Sequence, residues 1–232
     1  MSVEDLSLPI ELAPLIAAVD DHHRASMATF HDDFRARLED RKRNAPEPAR
    51  RRFLAWSGLA GVVIAGSVLP LPRSARMAAA QNDNAAMVAI SAAELEYAAV
   101  EVYAAAVSSG KLSADVREAG LAFGGHHLEH GNAFATIAKK TRNDIGAAKD
   151  VLDGAVKQLS AAASEADVVM IALGLENAAV SVYVNALGSV TDLPVMASMA
   201  SILPIESAHA VVLCRVLGLT FDDPRFLPAF EK

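Results

Sequence analysis

A nine-residue pattern, Leu-Glu-x-Ala-Ala-Val-x-Val-Tyr, occurs twice in this chain, at residues 95–103 and again at residues 175–183. Ala and Val coincide easily in an Ala-rich sequence. A Glu and a Tyr at the same offsets, Glu96 with Glu176 and Tyr103 with Tyr183, mark an internal repeat. Each copy is followed by a His at nearly the same remove: His130 stands 34 residues after Glu96, and His209 stands 33 after Glu176. Three residues before these lie His127 in the first half and Glu206 in the second. Such a chain reads as two helical hairpins of one design, joined through the stretch at 147–163.

The helices themselves are legible from periodicity and from their ends. The first runs from about Asn84 to Ser109 and is closed by Gly110, a residue that terminates helices well. Ser113 then caps a second, with Asp115 in its first turn, reaching to about Thr141. A shorter amphipathic helix covers Ala147 to Ala163 and places Val151, Ala155, Val156 and Leu159 on one face. Long helices follow from Glu165 to Leu187 and from Leu193 to about Gly218, the last holding Pro204, which predicts a kink or a break beside Glu206. With 53% apolar residues and no useful β alternation, the predicted class is all-α.

Helical spacing assembles the polar residues. Positions three apart share a face, so Glu206 with His209, and His127 with His130, point to one spot each. Seven residues is close to two turns, which stacks Tyr103 over Glu96 and Tyr183 over Glu176. These glutamates stand in apolar sequence, where an unpaired carboxylate is costly to bury. Either those faces meet solvent or the carboxylates have cationic partners, and a pair of metal ions is the simplest such partner. His126, His127, Glu129 and His130 crowd one helix turn; the repeat register selects His127 with His130, against His126 with His130. Glu129 projects about 200° away from His127. Glu94 and Glu101 face Gly174 and Ser181 in the other copy and read as surface charges. Met170, Met196, Met199 and Cys214 read as core packing.

In order along the chain stand Glu96-x6-Tyr103, His127-x-x-His130, Glu176-x6-Tyr183 and Glu206-x-x-His209. This resembles the ferritin-like di-iron carboxylate superfamily, the four-helix bundles of the bacterioferritin and rubrerythrin type, over roughly residues 88–217. The resemblance implies a four-helix bundle of two repeated hairpins over residues 81–232, with two metal ions inside. It implies Glu96 and Glu176 as terminal carboxylate ligands, His130 and His209 as imidazole ligands, and Glu206 as a bridge. Tyr103 and Tyr183 would orient carboxylates by hydrogen bonds, or serve as plain core aromatics. His127 departs from the pattern, occupying the place of a second bridging Glu. Iron or manganese is the implied pair, and the extra imidazole shifts preference toward zinc or copper.

The remaining sequence bears on location. Residues 1–49 are a polar leader, read as cytoplasmic or as a start assigned too early. Within it Leu15 to Leu38 reads as a helix carrying Asp20, Asp21, His22, His23, His31, Asp32 and Asp33, a solvated amphipathic helix or a second metal-binding stretch. In residues 50–80, Arg50-Arg51-Arg52-Phe53-Leu54 resembles a twin-arginine export signal, although Ala49 and Ala55 stand where Ser and Lys are usual. An uncharged run from Phe53 to Pro72 and small residues at Ala78–Ala80 follow, so the segment reads as a signal or, uncleaved, as a membrane anchor. The expected location is the periplasm or cell envelope. The net charge of −7 argues against nucleic acid as a partner. Cys214 is the only cysteine, so no internal disulfide forms.

The expected function is a di-metal redox centre acting on ferrous iron, peroxide or oxygen, in a homo-oligomer. Metal binding or storage without turnover, and a structural, stress-related bundle with a vestigial site, are the alternatives.

Overall fold

The computed structural model describes residues 11–44, 62–64, 67–69 and 85–220. The export-signal residues Arg50–Leu54, the residues at Ala78–Ala80 and the tail from Phe221 to Lys232 lie outside the described residues. Four long helices make the bundle: α2 (Ala85–Ser108), α3 (Ala114–Ile137), α6 (Glu165–Ser189) and α7 (Leu193–Val216). Helices α2 with α3, and α6 with α7, pair as hairpins, and the hairpins meet through α2 against α6 and α3 against α7. The short helices α4 (Arg142–Ile145) and α5 (Lys149–Ala161) occupy the connection, with α5 laid on α2 and α6.

The helix ends follow local chemistry. Gly110 and Gly218 take φ of +70° and +65° just beyond helix C-termini, where a side chain would be strained. Ser164 accepts from the Asp167 amide while Asp167 accepts from the Ser164 amide, a reciprocal cap at the start of α6. Asp192 caps α7 by accepting from Val195 N at 3.1 Å. Ser113 stands at the cap position of α3, but its hydroxyl makes no capping bond; its backbone N–H donates instead to the Glu165 carboxylate. The helix expected to reach Thr141 ends at Ile137, and Thr141 begins α4 through a reciprocal bond with Asp144. Helix α7 runs through Pro204 without a break.

The apolar core is in two parts. One cluster, including Val102, Val116, Phe123, Leu173 and Leu213, fills one end of the bundle. The other, including Ala93, Phe134, Ala186, Met199 and Ile202, fills the opposite end. Fully burying a side chain such as Phe123, Phe134 or Leu173 contributes about 1.5–3 kcal/mol each. The sequence places Glu96, His127, His130, Glu176, Glu206 and His209 at helix positions between these two ends. Met199 and Cys214 are buried in the core as expected.

Close approach of α2 and α3 depends on small residues. A Cβ built on Gly131 would stand 2.5 Å from Tyr97 Cε1 and 3.2 Å from Glu96 Cβ. Gly120 and Gly124 meet α2 in the same way, with Val107 and Tyr103 at 3.0 and 3.3 Å.

Two features of the N-terminal third differ from expectation. Within the uncharged run, Val62–Ile64 (β1) and Ser67–Leu69 (β2) pair as an antiparallel hairpin. These are the only strands among the described residues. The leader helix, α1 (Leu12–Asn44), is not a free solvated helix, for it packs on α3 and α7. Leu12, Ile16 and Val19 join the first core cluster, and Ser26 Oγ donates to the Ser201 carbonyl at 2.8 Å. That carbonyl adjoins the one on Ala200, which loses its helical donor because Pro204 has no N–H. His31, Asp32 and Asp33 fall in the part of α1 whose side chains lie outside the described set.

Candidate metal centre

All six residues singled out by the repeat converge in the middle of the bundle. Glu96, His127, His130, Glu176, Glu206 and His209 are each at most 2% exposed. They form two groups able to hold a cation: Glu96, His127, His130 and Glu206, and His127, Glu176, Glu206 and His209. Within each group the candidate ligand atoms lie within 4.8 Å of one another. Both groups share His127 and Glu206, one from each hairpin.

His127 stands between the two outer carboxylates. Its Nδ1 is 2.7 Å from Glu96 Oε2 and its Nε2 is 3.2 Å from Glu176 Oε1. The nitrogens of the other two histidines that face carboxylates are both Nδ1. His130 Nδ1 approaches Glu206 Oε1 to 2.7 Å, and His209 Nδ1 lies 3.4 Å from both Glu176 Oε2 and Glu206 Oε2.

The tyrosines cross between the repeats. Tyr103 donates its hydroxyl to Glu176, and Tyr183 donates to Glu96. Each helix thus orients the carboxylate of its repeat partner rather than its own. Both phenols are buried, and burial with the adjacent carboxylates raises their pKa well above the ordinary value, so they remain donors.

The donor set fits a metal. Both oxygens of Glu206 and both ring nitrogens of His130 are buried without a hydrogen bond, because their mutual approach is off the hydrogen-bond axis. A carboxylate in that state is costly unless a cation is supplied. Three carboxylates and three imidazoles in two overlapping groups suit ions that accept both oxygen and nitrogen.

Protonated imidazoles neutralise the cluster when no metal does. Burial would lower the pKa of His130, but Glu206 and Glu96 beside it raise it to about 9. His127 is held well above its ordinary value by Glu206 and Glu176 against the same burial, and His209 is raised by Glu176. Burial would raise Glu96, yet its bond to His127 and the His130 imidazole beside it lower it to about 2. Metal binding must displace these protons, so affinity falls as the solution is acidified.

The repeat pattern did not reveal a second layer of residues. His126 is buried but lies outside both groups, with Nδ1 3.0 Å from His209 Nε2 and Nε2 3.1 Å from Asp20 Oδ1. His23 of α1, also buried, stacks on His126 with ring centroids 4.0 Å apart. Phe123 stacks on His209 at 4.1 Å. A signal for α1 was present: Leu12, Ile16, Val19, His23 and Ser26 recur at alternating four- and three-residue steps, the stripe of a packed helix face. Glu129 points away to the surface, as the helix angle requires, and Glu101 is an exposed partner of Arg142 at 2.5 Å.

Comparison with known proteins places the bundle. A search of curated proteins and a search of solved structures returned no match. A family model described as a ferritin-like domain matches residues 85–219, which span α2 through α7 and every residue of the two groups. With more than half of the chain so matched, it belongs to the ferritin-like domain family.

Proposed function

We propose that this protein binds a pair of metal ions at the buried Glu/His cluster and uses them in redox chemistry outside the cytoplasm. The observation that carries the reading is Glu206, a fully buried carboxylate with neither oxygen hydrogen-bonded, shared by two four-residue groups. Glu96 with His130 would hold one ion, and Glu176 with His209 the other, with Glu206 common to both and His127, whose neutral ring has one lone pair, serving one of them. A bound iron or manganese pair would supply the electron transfer for oxidising ferrous iron or reducing peroxide or oxygen. Tyr103 and Tyr183 hold the outer carboxylates in place, and the two apolar clusters exclude water from either end.

Binding without turnover is the second reading, favoured by His127. An imidazole at the shared position carries less negative charge than a carboxylate and suits zinc or copper.

Export is proposed on the sequence of Arg50 to Ala80. The twin-arginine route carries proteins folded beforehand, and a signal or anchor leaves the residues that precede it on the cytoplasmic side. The form in which α1 shares one core with the bundle is therefore the folded protein before export, the form in which the metals would be loaded.

The test is metal content. The full chain, purified without chelators, is analysed by plasma mass spectrometry beside a His130→Ala, His209→Ala double variant. Near two equivalents of iron or manganese, lost in the variant, support the redox centre and lead to ferrous oxidation and peroxide assays. About one equivalent of zinc or copper favours binding alone. No metal after reconstitution refutes both, leaving a bundle neutralised by its own imidazolium groups.

A further inference from the structure

Helix α1 lies outside the stretch matched by the ferritin-like family, yet it reaches the metal centre. The contact is a chain of three side chains: Asp20 on α1, His126 on α3 and His209 on α7. Asp20 Oδ1 is 3.1 Å from His126 Nε2, and His126 Nδ1 is 3.0 Å from His209 Nε2.

Donor rules fix the direction of this chain. An ionised carboxylate only accepts, so His126 Nε2 carries the hydrogen. A neutral imidazole has one N–H, so His126 Nδ1 bears the lone pair and His209 Nε2 must donate to it. His209 Nδ1 is then the nitrogen left free to bind a cation. It is the one facing Glu176 and Glu206, at 3.4 Å from each. The ring planes are held as well: His23 lies against His126 at an interplanar angle of 20°, and Phe123 against His209 at 25°. Arg24 pairs with Asp20 from one turn further along α1 and keeps it ionised.

We propose that Asp20 is a positioning residue for the metal centre, acting through His126 to set which nitrogen of His209 is available. Helix α1 is thereby a working fifth helix of the site and not a dispensable leader. The inference rests on the metal reading above for its purpose, but the hydrogen-bond chain exists in the metal-free protein and is tested there.

The experiment uses the full chain with Asp20→Ala, Asp20→Asn and, as a control of equal charge change on the same helix, Asp21→Ala. Asp21 is exposed and pairs with Arg24, with no bond to His126. Two readouts are taken: the side-chain nitrogen shifts of His126 in metal-free protein, and zinc affinity by chelator competition. In the parent chain His126 is expected to show a protonated Nε2 and a bare Nδ1. Asp20→Ala should mix the two tautomers and weaken zinc binding about 10–100-fold. Asp20→Asn keeps an acceptor for His126 and should recover most of both, which separates the hydrogen bond from simple docking of α1. Asp21→Ala should change neither. Unaltered His126 tautomers in Asp20→Ala, or an equal loss of affinity in Asp21→Ala, overturns the proposal. A parent chain that binds no zinc overturns the metal-centre reading instead, and the nitrogen shifts still decide the role of Asp20.

Discussion

Gly131→Ala and Gly125→Ala make the same chemical change in the same helix and should move stability in opposite directions. Replacing a mid-helix Gly by Ala stabilises by about 0.5–1 kcal/mol, because Ala has less backbone freedom to lose. Gly125 is exposed on α3, and a methyl added there would meet nothing within 4 Å, so its substitution should show that full gain. At Gly131 the same methyl would sit 2.5 and 2.8 Å from ring carbons of Tyr97 and 3.2 Å from Glu96 Cβ. The Tyr97 ring cannot swing freely, since it is fully buried, its hydroxyl donates to Asn132 at 3.1 Å, and Arg142 covers its face. Overpacking of this kind costs about 1–3 kcal/mol, so Gly131→Ala should come out lower in stability by up to about 2.5 kcal/mol after its helix gain. For a chain of this size each kcal/mol moves Tm by about 2–4 °C. Urea denaturation of the metal-free chains gives the comparison directly, with m-values checking that the unfolded states match. A Gly131→Ala protein as stable as Gly125→Ala would refute the tight α2–α3 seam and, with it, the reason Glu96 stands so near His127.

Other consequences follow from the same geometry. Tyr183→Phe removes the donor to Glu96 and should cost about 1.5–3 kcal/mol in urea melts, the range for hydrogen bonds to charged groups; no change would mean the bond is not formed. The metal-free protein should be most stable near about pH 6.5. Above that, pairing of His130 with carboxylates, fully present below its unfolded pKa, is lost as pH rises through about 9. Below it, His23 and His126, held neutral by burial with pKa values near about 3 and 4, oppose the folded state because the unfolded chain takes up protons first. Stability that climbs steadily from about pH 6.5 to about pH 9 would contradict this assignment. His127→Glu supplies a fourth carboxylate and should raise iron and manganese content relative to zinc when the three are offered together; an unchanged ratio would show that His127 does not set metal choice.

Much of this protein was legible before its structure. Helix positions, the closing glycines Gly110 and Gly218, and the two-hairpin order depend on conformation and hydrogen bonds within a few residues, so one chain segment is enough to read them. The grouping of Glu206 with His209 and of His127 with His130 is local in the same sense, since a three-residue step on a helix fixes their common face. The repeat extended that local reading to a pairing of hairpins.

What lay beyond the sequence are contacts whose partners are far apart in the chain and whose geometry depends on how helices cross. Stacking of Tyr103 over Glu96 on one helix was predictable. That Tyr103 serves Glu176 and Tyr183 serves Glu96 follows only from the packing of α2 against α6. The close passage of Tyr97 over Gly131 likewise needs the α2–α3 separation, which no residue pattern states. Helix α1 is the clearest case: its apolar stripe marked a face in need of a partner, but a stripe does not name the groove. Only the assembled bundle shows that the groove lies between α3 and α7, with His126 waiting in it for Asp20 and His23. Local periodicity therefore settled which residues face inward, and tertiary packing settled which of them meet.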